Sequence, residues 1–138
     1  MALPNGGGGY QVGDGNRNET ILRYMALPLS QAGTATLSAA QVTAGVLIVG
    51  SGATAAQTYT LPAASGIDAV VSSAGAGNTF DLIVINIGTS SGTAALAMGS
   101  GTGFSDGGNA TVALPITSSG IFRFRKTADN AFTVYRIG

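Results

Sequence analysis

From Thr79 to Ile87 the chain runs Thr-Phe-Asp-Leu-Ile-Val-Ile-Asn-Ile, placing Phe80, Leu82 and Val84 on one parity and Ile83, Ile85 and Ile87 on the other. So dense a β-branched run reads as a strand, and large apolar side chains on both parities call for cover on both faces, as in a sandwich core. Any fold that contains it needs at least two layers. Asn86 and Gly88 open a turn rich in Gly, Ser and Thr, and the strand is expected to stop there.

Shorter strand-like runs recur at roughly ten-residue intervals. They are Val46 to Val49, Gln57 to Leu61, Ala94 to Met98 and Thr111 to Leu114, the last two flanking a glycine-rich segment, Gly99 to Gly108, that reads as loop. The chain closes on a hairpin in which Gly120 to Arg125 and Phe132 to Arg136 alternate about a turn through Thr127 to Asn130. One register buries Phe122, Phe124, Phe132 and Val134 and leaves Arg123, Arg125 and Tyr135 outside; a slip of one residue reverses this. Two short helices are expected. Ser38 and Gln41 form a capping box before Gly45, while Pro62 suits a first helical turn ahead of Ile67, Val70 and Val71 on one face. Six to eight short strands with glycine-rich turns predict an all-β fold, an antiparallel β-sandwich or jelly-roll-like barrel with one or two short helices. Its expected core is Phe80, Leu82, Val84, Phe122, Phe124, Phe132 and Val134.

Residues 1–33 have a different texture, with four glycines from Gly6 to Gly9 and a polar stretch from Gly13 to Glu19. They read as an extended N-terminal arm before a sandwich domain over residues 34–138. Within the arm Thr20 to Met25 is the apolar patch, long enough for a short strand to pair with a neighbour's sheet edge. Tyr10, Ile21, Leu22, Arg23 and Tyr24 are therefore the candidate contact residues. The start lacks the charged and apolar regions of a signal peptide, and no apolar run reaches the ~20 residues that span a bilayer, so synthesis in a cytoplasm with no membrane partner is expected.

Composition bears on how such a fold is held and used. With 22 Gly and 22 Ala in 138 residues, the core is thin and the backbone entropy lost on folding is large, which favours association of folded subunits. Six Lys or Arg balance six Asp or Glu, so no basic stripe exists to track nucleic acid. Only 9% of residues are charged, against ~25% in ordinary domains, a surface suited to close packing against other proteins. With neither Cys nor His, the usual nucleophile–base pairs are missing and the dispersed acids suggest no catalytic dyad, so an enzyme is not expected. Asp14, Asn16 and Asn18 open like a calcium loop, but Glu19 replaces the turn glycine and Met25 the bidentate acid. No catalytic, metal or cofactor-binding residues are assigned.

Thr36 to Gln41, the step Tyr59-Thr60-Leu61-Pro62 into an Ala-rich helix, Asn78 to Asn86 and the closing Phe132 to Arg136 resemble small virion-surface proteins of tailed bacteriophages, head decoration or cement proteins among them. The likeness runs from about Thr34 to Gly138. It implies a homotrimer of β-sandwich subunits on the outer surface of the phage head, clamping adjoining major capsid proteins, with no catalytic residues to transfer. The alternative is another trimeric virion module, a fibre-tip or receptor-binding domain for a host glycan or protein. Having no Trp and four Tyr weakens a sugar-stacking role.

Overall fold

The computed structural model describes Leu3–Pro4, Gln11–Val12 and residues 24–138. Strands β1 (Leu3–Pro4) and β2 (Gln11–Val12) pair antiparallel. The expected contact residues Tyr10, Ile21, Leu22 and Arg23 lie outside the described residues; Tyr24 is inside them and is not part of a strand.

Two sheets share one core. The larger holds, in spatial order, β3 (Leu29–Gln31), β5 (Val46–Val49), β7 (Thr79–Asn86), β10 (Ser118–Ala128), β11 (Ala131–Arg136) and β9 (Phe104–Gly108). The smaller holds β4 (Ala35–Thr36), β6 (Gln57–Thr60) and β8 (Ala94–Ala97). From β3 to β8 the chain alternates between the sheets, so each strand returns to its sheet running the same way as its predecessor. The ladders β3–β5–β7 and β4–β6–β8 are consequently parallel, as is β9–β11. Antiparallel pairing, expected throughout, is confined in the two large layers to β7–β10–β11 and a single bridge between Ala94 and Leu114. The fold is thus strand-rich and two-layered, with a mixed sheet in place of an antiparallel jelly roll.

The closing hairpin adopts the expected register. Phe122, Phe124, Phe132 and Val134 are buried with Leu82 and Val84, and Phe80 is half-buried against them. Phe80 stacks on Phe124 with ring centroids 4.9 Å apart, and Phe104 closes the cluster edge-on to Phe124 at 6.1 Å. Across the core stand Tyr59, Leu61, Leu96 and the helices. Helix α1 (Ala39–Val42) carries both bonds of the capping box, Ser38 to the Gln41 amide and Gln41 back to the Ser38 amide. In α2 (Ala64–Val70) Ala64 and Ile67 are buried and Val71 is half-buried just beyond it, whereas Val70, expected on the same face, is exposed. Two further expectations change. The Gly99 to Gly108 segment supplies β9, and residues 111–114 form no strand, only Leu114 pairing through its isolated bridge to Ala94.

Asn86 is buried where three loops meet. Its Nδ2 donates to the carbonyls of Gly92 at 3.0 Å, Pro115 at 2.9 Å and Leu114 at 3.3 Å, while Oδ1 accepts from Gly88 N–H at 2.9 Å. Backbone approaches so closely here that a Cβ on Gly88 would stand 2.3 Å from the Gly92 oxygen, and one on Gly92 would stand 2.4 Å from the Ala53 oxygen.

Candidate interaction surface

Three places could hold chemistry: a charged clasp at the hairpin tip, an ordered turn after β9, and the outward face of the large sheet. In the clasp, Lys126 continues the inward parity of Phe122 and Phe124 and is buried. Its Nζ donates to Asp68 Oδ1 on α2 and to the Ala74 carbonyl at 3.1 Å, with Asp129 Oδ1 at 3.4 Å. Asp68 Oδ2 also accepts from Asn130 N–H at 3.0 Å. The hydrogen bond from Lys126 holds the Asp68 carboxyl below its usual range, and the same bond holds the Lys126 ammonium above its own. With the carboxyl held ionised and the ammonium held protonated, each is committed to the other, and the pair fastens the hairpin to the helix.

Asp106 is similarly committed. Its two oxygens accept from the backbone of Gly108, Ala110 and Thr111 and from the Thr111 hydroxyl, at 2.9 to 3.3 Å. These bonds, that from Ala110 foremost, lower its pKa. Among the described residues no group of three or more His, Cys, Asp or Glu is placed to hold a metal ion, and no helix is long and apolar enough to cross a membrane.

The outward face of the large sheet is different. Register sets Val46, Ile83 and Ile121 side by side across β5, β7 and β10, and Ile137 is hydrogen-bonded to Ile121 just past β11. A second row contains Ile48, Ile85 and Ser119. Ile83, Ile87, Ile121 and Ile137 are 37%, 44%, 36% and 49% exposed, so the face expected to be covered stands open in the single chain. On one side a row of Asp81, Arg123 and Tyr135 bounds it, where Arg123 grips Asp81 through two 2.8 Å bonds and lowers its pKa. At the other end a shallow cleft of about 450 Å³ lies between Ile85, Ile87 and Thr117 to Ser119. No family model, curated protein or solved structure matches this chain. Contiguous apolar surface bounded by polar groups is the kind of surface at which proteins, membranes or apolar ligands bind.

Of the proposed arm contacts, Tyr24 is described and is fully in solvent, well apart from the isoleucine rows in sequence. Lys126 and Asn86 were not singled out as buried polar residues. Strand parity would have found both, since each extends an inward-facing series, Phe122–Phe124 and Leu82–Val84 respectively.

Proposed function

We propose that this chain is a non-catalytic structural protein of a bacteriophage virion, a trimeric decoration or cement subunit that binds the outer surface of the head and clamps adjacent major capsid subunits. The observation that carries the reading is the open isoleucine face on a body with very few charges, which equips the chain to grip proteins rather than to transform small molecules. The likeness of residues 34–138 to small virion-surface proteins supplies the setting. Clamping follows from linkage: a subunit that contacts only the closed shell shifts the equilibrium away from opening. No cofactor or nucleic acid enters this role.

Electron microscopy of intact particles carrying a labelled chain tests it. Regular density over the shell is expected. Density at the tail tip would replace this reading with the receptor-binding one, and particles without the chain would remove both. Heads lacking residues 1–33 of the chain should also lose decoration if the arm holds the shell.

A further inference from the structure

We propose that the Lys126–Asp68 clasp matures into a covalent amide, in which Lys126 Nζ is bonded to Asp68 Cγ, with Asp129 carrying a proton in the reaction. Lys126 is the one lysine in the chain. A lysine serving solubility would stand in water, whereas this one is 5% exposed and on the inward parity of the hairpin. Its Nζ is in hydrogen-bond contact with Asp68 Oδ1, and the Ala74 carbonyl at 3.1 Å fixes it from a second side. Asp68 is held as well, because its Oδ2 accepts from Asn130 N–H at 3.0 Å. A second carboxyl oxygen, Asp129 Oδ1, stands 3.4 Å from Nζ on a side chain that is 92% exposed. Amine, acid and a solvent-linked proton carrier therefore meet at one point, beside a cleft of about 370 Å³ through which water can leave.

In free solution an amine and a carboxylate do not condense. Held in contact by a fold they behave as one reactant, with effective molarities that reach about 10⁵–10⁸ M. Until the bond forms the two groups are the ion pair described above, and the neutral pair that reacts is a minor species, so the step is slow. One proton passes from the ammonium to Oδ1, the Nζ lone pair attacks Cγ, and the negative charge that builds on Oδ2 is met by Asn130 N–H. Asp129 takes a second proton from Nζ and delivers it to Oδ1, the Cγ–Oδ1 bond breaks, and Oδ1 departs as water. Nζ keeps one proton, charge is conserved, and nothing is oxidised or reduced. The product joins positions 58 residues apart in sequence, a restraint on the unfolded chain of the kind that a disulfide gives. With no Cys in the chain and 22 Gly to order on folding, an amide staple does what a disulfide does elsewhere.

The test uses the full chain, made by cell-free synthesis and sampled over days at neutral pH, and reads intact mass and a tryptic map. Wild type should become lighter than its sequence mass by one water. Trypsin should then fail to cut after Lys126, and a branched peptide should join residues 24–123 to residues 126–136. Lys126→Arg and Asp68→Ala should keep their full mass, with circular dichroism checking their fold; the wild-type map stands on its own should either misfold. Asp129→Asn keeps the Lys126–Asp68 contact and should form the bond ~100-fold more slowly, as for loss of a general acid–base group. A folded wild type that stays at its full mass overturns the proposal. So does a water lost without the branched peptide, as a succinimide at Asp106-Gly107 would give. An Asp129→Asn chain that gains the bond as fast as wild type overturns the proton-carrying role of Asp129.

Discussion

Replacing Asn86 with Ala tests how the end of the sandwich is held. The substitution removes one acceptor and one shared donor from a buried site. Leu114 O keeps the Ala94 amide and Pro115 O keeps the Ser118 hydroxyl, so neither is stranded. Gly88 N–H and Gly92 C=O are both in buried residues and lose the Asn86 side chain as their partner. At about 1–3 kcal/mol for each buried group left unsatisfied, the cost is about 2–6 kcal/mol. For a chain of this size that corresponds to a fall of roughly 10–15 °C in Tm, if the middle of the range applies. Calorimetry and urea titration of Asn86→Ala against wild type measure it. Asn86→Asp sharpens the test, because the new carboxylate faces the Gly92, Leu114 and Pro115 carbonyls. That raises its folded pKa above the unfolded value near 4. The variant should therefore approach wild type below about pH 4, where the protonated acid can donate, and fall behind as pH rises. A loss under about 1 kcal/mol in Asn86→Ala, or a gap between Asn86→Asp and wild type that ignores pH, would refute the reasoning.

Asp68, Asp81 and Asp106 all lie below their usual range, held there chiefly by Lys126, Arg123 and the Ala110 amide. Their contribution is complete above the unfolded carboxylate range and is lost as pH drops toward the depressed folded values, so Tm should be level from pH 7 to about 5 and decline below that; Asp106→Asn should shrink the decline. Phe124→Ala, which removes the ring stacked on Phe80, should cost about 3–5 kcal/mol in urea denaturation, and Phe80→Ala less because Phe80 is only half-buried. Gly92→Ala should destabilise markedly, since its Cβ would meet the Ala53 oxygen, whereas Gly52→Ala, with open space and φ +72, should lose only the ~1–2 kcal/mol of a left-handed residue in thermal melts.

Period-two alternation made the closing hairpin readable, because Phe122, Phe124, Phe132 and Val134 can share a face in only one parity. The capping box did the same for α1. Parallel pairing was not readable, since β6 and β8 carry no mark of each other and meet only because the chain changes sheets between them. β9 was hidden for a different reason. Phe-Ser-Asp-Gly-Gly has the composition of a turn, and it is held as a strand by pairing with β11 while Asp106 binds the chain that follows. The face was half legible: both parities of β7 are apolar, and the sequence of one chain cannot state which molecule covers the outer one.

Winding between two sheets has a cost during synthesis. β10 joins β7 to β11, and it leaves the ribosome after β3, β5 and β7 are already made. Until Ser118 to Ala128 arrive, the longest parallel strand has a bare edge of eight residues, open to the equivalent strand of another nascent chain. Crowded translation of neighbouring copies is when this protein is most exposed to mispairing, and quick closure of the C-terminal hairpin is its protection.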